Sequence, residues 1–402
     1  MKACFFSAGC ALWFVLFSIA WAQTPVPQSG NFALIKDAAE ALASGNLPKA
    51  ETELNLVLNS NPQEYRALNL LGIVRAQQRR EADAEKLFKQ AIELKPDFVS
   101  THIDLGLLLV QTNRPNEAVV EFKEALRLDP ARTDALSPLL SIWHAQAKEA
   151  VQKGDPEKAL AVLIEARKIA PEDADISFEF GMVALRMSLL PDAVQAFQRV
   201  LSLRKEYPSA TYGLGRAQIA LGKYQDAKEL FERYVQLRPK DASGHFALGV
   251  ALQSLQEMVE ARSQFEQSIQ IQPVQTESYF QLGSMDLEQN NLEIAASRFN
   301  VVLQRDSKHA GALTGMGRVE FQRKEYQKAT EFLQRAIASD ASSREAHYYL
   351  GLSLARFGRK DESEKELQTA SRLEHEEVEK HRIVIKILDS NDPAARQLDD
   401  TK

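Results

Sequence analysis

A recurring segment ending sets the strongest limit on what this chain can fold into. AIELKP closes at Pro96, ALRLDP at Pro130, ARKIAP at Pro171, YVQLRP at Pro239 and SIQIQP at Pro273. Pro62, Pro96 and Pro130 lie 34 residues apart, as do Pro239 and Pro273. Stepping by 34 from Pro171 gives Lys205 and then Pro239, and one step of 41, from Pro130 to Pro171, joins the two registers. A fixed period of 34 is the spacing of a stacked helix-turn-helix unit.

Other positions keep the same register. Twelve residues before each ending stand Ala50, Ala84, Ala118, Ala159, Ala193, Ala227, Ala261, Ala295, Ala329 and Ser363. Twelve earlier again the residue is Gly or Ala, as at Gly72, Gly106, Ala147 and Gly215. Eight before the ending it is Phe or Leu, as at Phe88, Phe122, Leu163 and Phe231. Small residues on both helices let two backbones approach, and the Phe or Leu fills the space beside that approach. Apolar residues recur at 3–4 spacing in both halves, as in Leu68 and Leu71, then Ala84, Leu87, Phe88 and Ala91. Pro48, Pro115, Pro156 and Pro191 suit the first turn of the second helix, where a missing N–H costs nothing. The closing Pro is expected to stop that helix.

These columns resemble the tetratricopeptide repeat. Its pattern of Leu, Gly, Ala, Phe, Ala and Pro is matched by Leu71, Gly72, Ala84, Phe88, Ala91 and Pro96, and again by Leu282, Gly283, Ala295 and Phe299. The opening Trp is present once, at Trp143; His102, His245 and His347 hold that slot elsewhere and are expected to pack between helices. The last three units end at Ser307, Ala341 and His375 in place of Pro. The resemblance implies an all-α fold, a right-handed solenoid or superhelix of ten helical hairpins, bound to one another by neighbour interfaces.

The expected organisation follows. Residues 1–22 carry one charge, Lys2, an apolar run Cys10 to Ala20 and the small-x-small end Ala20-Trp21-Ala22, the pattern of a secretory signal peptide. If uncleaved, this segment would anchor the chain in a membrane; after cleavage no membrane insertion is expected. Residues 23–30 form a short linker and 31–130 repeats one to three. The seven-residue excess places an insertion loop at 131–139, either a hinge or a simple insertion, with Ser137-Pro138 as cap and first residue of the next helix. Repeats four to ten occupy 140–375. Residues 376–388 are expected to form a capping helix; a membrane-surface helix is the other reading, opposed by Glu376, Glu377, Glu379 and Asp389. Residues 389–402 are expected to be a disordered tail.

Composition narrows the function. Both cysteines, Cys4 and Cys10, lie in the signal segment, so residues 23–402 hold no thiol for a disulfide, nucleophile or metal site. Loss of Lys2 takes the formal charge from −6 to −7, and no run of Lys and Arg offsets it, which argues against nucleic acid. No N-x-S/T sequon occurs, which favours a bacterial envelope, periplasmic or secreted, over a eukaryotic route. Phosphate-loop, dinucleotide, serine-elbow and zinc-helix motifs are all missing, and no two histidines stand at i+3 or i+4. No catalytic residue, cofactor or metal ligand is therefore assigned.

In the family the first helices line the concave face. The position after the Trp slot reads Phe178, Tyr212, Phe246 and Phe280 in repeats five to eight, and Tyr348 in repeat ten. Four residues on stand Met182, Arg216, Val250 and, in repeat nine, Arg318. Aromatic, Met and Arg side chains favour binding hot spots. These nine residues are the candidate groove for a protein or peptide partner with apolar side chains. An accessory role in assembling or exporting an envelope polymer is the alternative.

Overall fold

The computed structural model describes residues 30–390, with side chains from 31 to 376. Residues 1–22, where a signal peptide was expected, most of the linker and residues 391–402 lie outside the described residues. The chain divides into two compact units, 1–183 and 184–402, with the division inside one helix.

In the first unit run α1 (Gly30–Ala43), α2 (Leu47–Ser60), α3 (Tyr65–Gln77), α4 (Glu81–Leu94), α5 (Val99–Gln111), α6 (Pro115–Leu128), α7 (Thr133–Gln152) and α8 (Pro156–Ile169), then most of α9 (Ala174–Arg186). The second holds α10 (Leu190–Leu203), α11 (Pro208–Ala220), α12 (Tyr224–Leu237), α13 (Ala242–Ser254), α14 (Met258–Ile271), α15 (Thr276–Glu288), α16 (Leu292–Arg305), α17 (Ala310–Gln322), α18 (Tyr326–Ser339), α19 (Arg344–Arg356) and α20 (Lys360–Ser390). Every described element is an α-helix.

The glycine and phenylalanine columns meet as the spacing predicts. A Cβ on Gly72 would fall 2.5 Å from the Phe88 ring, and one on Gly249 would fall 2.6 Å from Phe265. Phe88, Phe122, Phe197, Phe231, Phe265 and Phe299 are all fully buried. Phe299 is enclosed from two sides, by Gly283 of its own hairpin and Gly315 of the next. The same ring therefore closes one repeat and joins it to its neighbour.

Each hairpin turns through one residue of left-handed backbone. These residues are Gly45, Arg79, Asn113, Gly154, Ser188, Gly222, Gln256, Asn290, Lys324 and Gly358, in the same register as the endings. At two of these turns the residue that follows has two duties. The Asn46 N–H bonds back to Ala41 O, while its side chain accepts from Lys49 N. Asp155 does the same between Ala150 O and Lys158 N. One residue thus closes the first helix through its backbone N–H and caps the second through its side chain.

Three expectations need revision. Residues 131–139 are not an insertion loop: only 131 and 132 belong to the turn, and α7 is 20 residues long where α3 and α5 are 13, so the seven extra residues are helix. Pro138 sits inside that helix and Ser137 does not cap it. Ala135, Leu139, Ile142 and Trp143 are buried along one helical face, and this apolar stripe prevails over the Ser-Pro signal. Helix stops also do not depend on Pro: α16 and α18 end in register at Asp306 and Asp340, whose carboxylates accept from Lys308 N and Ser342 N. Finally, α20 continues unbroken through residue 375, so 376–388 is an extension of the last repeat's second helix and not a separate element. Contacts of its side chains beyond 376 lie outside the described residues.

A buried ion cluster ties three helices of the second unit. Asp286 on α15 is 2% exposed and pairs with Arg262 of α14 at 3.0 Å and with Arg298 of α16. Arg298 also donates to Leu282 O at 3.2 Å.

Candidate functional site

The candidate row is partly absorbed into the repeat core. In the second unit Tyr212 stands edge-on to Phe231, with centroids 5.6 Å apart, and tilts on Tyr234 at 5.0 Å. Burial raises its phenol above the usual range. Phe246 lies 5.9 Å from Phe265, and Phe280 lies 6.2 Å from Phe299 and 5.1 Å from His309. Tyr212, Phe246 and Val250 border one core cluster, while Phe280 borders the next. All four are half-buried.

Other members of the row differ in exposure. Arg216 is exposed, and Tyr348 is 45% exposed with its edge against Tyr349. Arg318 donates to Glu345 at 2.7 Å and lies over the Tyr349 ring, while its buried Nε–H finds no acceptor. In the first unit Phe178 is half-buried and Met182 is 38% exposed. Within the second unit Tyr212, Phe246 and Phe280 thus form a half-buried floor, and Arg216 and Tyr348 stand exposed beside it.

The first unit carries polar pairs at the corresponding positions. Asn69 of α3 donates to Asp104 of α5 at 2.8 Å, and His144 of α7 meets Glu179 of α9 at 2.9 Å. The Glu179 hydrogen bond raises the His144 imidazole against the opposing effect of burial.

The histidines in the Trp slot do more than pack. His102 Nδ1 faces Glu121 Oε2 at 2.7 Å and Nε2 faces Pro96 O at 2.9 Å. His245 spans Gln264 and Pro239 O, and His347 spans Glu366 and Ala341 O. In each case the ring bridges its own second helix, 19 residues on, and the turn that ends the previous repeat, six residues back. The shared i+19 and i−6 spacing to a polar side chain and a repeat-ending carbonyl was the available sequence signal. Among the described residues no group of three or more His, Cys, Asp or Glu could hold a metal ion. No described helix is long and apolar enough to cross a membrane.

Paired helices of fixed length, glycine-to-ring contacts and a row of first-helix side chains define a helical-hairpin repeat protein. The tetratricopeptide repeat family matches residues 37–97, 144–211, 212–275, 280–344 and 332–373, with a further repeat at 99–132, and the chain belongs to that family. The human protein O-mannosyl-transferase TMTC3 is 28% identical over 179 residues, 37% of this chain and 20% of the relative. The rat DnaJ homolog subfamily C member 3 is 27% identical over 143 residues, 34% of this chain and 28% of the relative. The chain therefore spans less than a third of the length of either. Among solved structures, MamA 41-end from Desulfovibrio magneticus RS-1 is 22% identical, with a TM-score of 0.40, over 42% of this chain and 96% of that one.

Proposed function

We propose that the chain is an exported scaffold that binds a protein segment along the first helices of residues 184–402. The supporting observation is the row in which Tyr212, Phe246 and Phe280 form a half-buried aromatic floor while Arg216 and Tyr348 stand exposed. An apolar floor with projecting Arg and Tyr suits an extended or helical segment whose large apolar side chains point inward. Export rests on the signal-like residues 1–22, and the compartment we favour is a bacterial periplasm. We read the chain as binding its partner without turning it over, since residues 31 to 375 are taken up by repeats.

The test uses exposed residues, so that lost packing is not mistaken for lost binding. The full chain and an Arg216→Glu/Tyr348→Ala variant are used to capture partners from the native host, with melting curves for both. An equally stable variant that loses a partner supports the row. Full-affinity capture by the variant moves the surface elsewhere, and affinity for isolated envelope glycans without protein would favour the polymer-assembly role instead.

A further inference from the structure

Helix α5 carries two titratable side chains at the joint between the second and third repeats. Both ring nitrogens of His102 face acceptors, a carboxylate on α6 and the Pro96 carbonyl. A neutral imidazole has one N–H, so only the doubly protonated ring can donate to both. His245 occupies the same slot, but its Nδ1 faces the Gln264 side-chain amide, which can turn to donate. A neutral ring satisfies that site.

Two residues along α5, Asp104 accepts from Asn69 Nδ2 at 2.8 Å, while Asn69 Oδ1 is buried with no donor. The groups facing the pair can be named by element. From α6 come Glu121 and Glu124, with Lys123 and Arg127 lining the same groove and Arg127 already held by Glu124. From the start of α7 come Arg132 and Asp134, paired with each other at 2.6 Å. From α3 comes the Asn69 amide. From the turn after α4 comes the Pro96 carbonyl, flanked by the exposed Lys95–Asp97 pair.

We propose that α5 is a pH-sensitive joint, closed onto α3, α6 and the Pro96 turn when His102 and Asp104 are protonated, and loosened as pH rises through neutrality. A protonated Asp104 brings a hydroxyl donor beside the orphaned Asn69 acceptor. An ionised one leaves that acceptor without a donor and adds a charge to a partly buried site.

The proton linkage of both groups has the same sign. Burial opposes the His102 charge, but the Glu121 hydrogen bond and the Pro96 carbonyl outweigh it and hold the imidazole above its ordinary range. Its stabilisation is present in full below the unfolded imidazole value and is lost as pH rises through the raised one. Burial pushes the Asp104 carboxyl up to about 7, against the lowering influence of Asn69 and Arg132. The folded chain therefore holds a proton there that the unfolded chain has released, and stability again falls as pH rises towards neutrality.

Native-state amide exchange on the full chain from about pH 6 to about 8.5, corrected for intrinsic rates, tests this over the window in which the Asp104 proton is lost. Helix α13, which carries His245, is the internal control. Opening of α5 should rise about tenfold relative to α13, the equivalent of one pKa unit. A Glu121→Gln/Asp104→Asn variant should keep its low-pH protection and lose this slope. Equal slopes for α5 and α13 in the native chain overturn the proposal, as does a slope that survives the double variant. Should the variant fail to fold, an NMR titration of the native chain decides: His102 releasing its proton at or below the ordinary imidazole range also overturns it.

Discussion

The Tyr234 ring occupies the space that Gly244 leaves by having no side chain. A Cβ on Gly244 would fall 2.6 Å from Tyr234 Cδ1, and the Tyr234 hydroxyl donates to Asp241 in the turn between them. One repeat earlier the same two positions hold Val200 and Ala210, both fully buried. Volume at this inter-repeat contact is set by the pair and not by either residue. Gly244→Ala should cost about 1–3 kcal/mol through overpacking. Adding Tyr234→Val should recover part of that loss. Chemical denaturation of the two single variants and the double one measures the coupling, and simple additivity would contradict a shared space.

Gly154 gives a glycine effect of a different origin. Its φ is +76° and nothing lies within 4 Å of a Cβ built there, so Ala meets no neighbour and only an unfavourable backbone. Gly154→Ala should destabilise by about 1 kcal/mol. Thermal melting that shows no change would mean the turn relaxes freely.

Pro138 should cost stability where it stands. It lacks the N–H that would bond to Asp134 O within α7. Pro138→Ala should therefore stabilise the first unit by up to about 3 kcal/mol. A loop at 131–139 would give no such gain, so urea unfolding of this variant checks the helix itself.

Asp286 is the carboxylate shared by Arg262 and Arg298, and its removal leaves two mostly covered guanidinium groups without their common counter-charge. Asp286→Ala should cost about 3 kcal/mol, at the lower end of what breaking a buried pair costs because both arginines keep some solvent contact. The loss should change little with salt, since the carboxylate itself is buried. A strong salt dependence would place the pair at the surface.

Much of this fold was legible because its packing contacts repeat. Gly72 with Phe88 and Gly249 with Phe265 are the same contact five repeats apart, so the period alone located them. The left-handed turn residues were hidden because Arg79, Gln256 and Lys324 adopt that backbone beside Gly45 and Gly154. No side-chain type marks the position, and only the fixed geometry of the hairpin demands it. Ser137-Pro138 misled for the opposite reason: a local cap signal was strong, while the stripe Ala135, Leu139, Ile142 and Trp143 that decided the outcome spans two further turns. For the candidate groove, spacing placed the aromatic column but could not show that Phe280 spends its ring on Gly311 and His309.

The turns between repeats are all four residues long, 129–132 before the lengthened α7 as much as 95–98 before α5. That fixed length has a consequence for how such a chain lengthens: the extra residues entered the helix, and there they rotate everything beyond them. Seven residues at about 100° each fall only about 20° short of two full revolutions. The lengthened α7 therefore presents Trp143 and Ala147 in phase with their counterparts in shorter helices. An insertion of five would turn the same residues about 140° out of phase, so length here is quantised by the pitch of the helix.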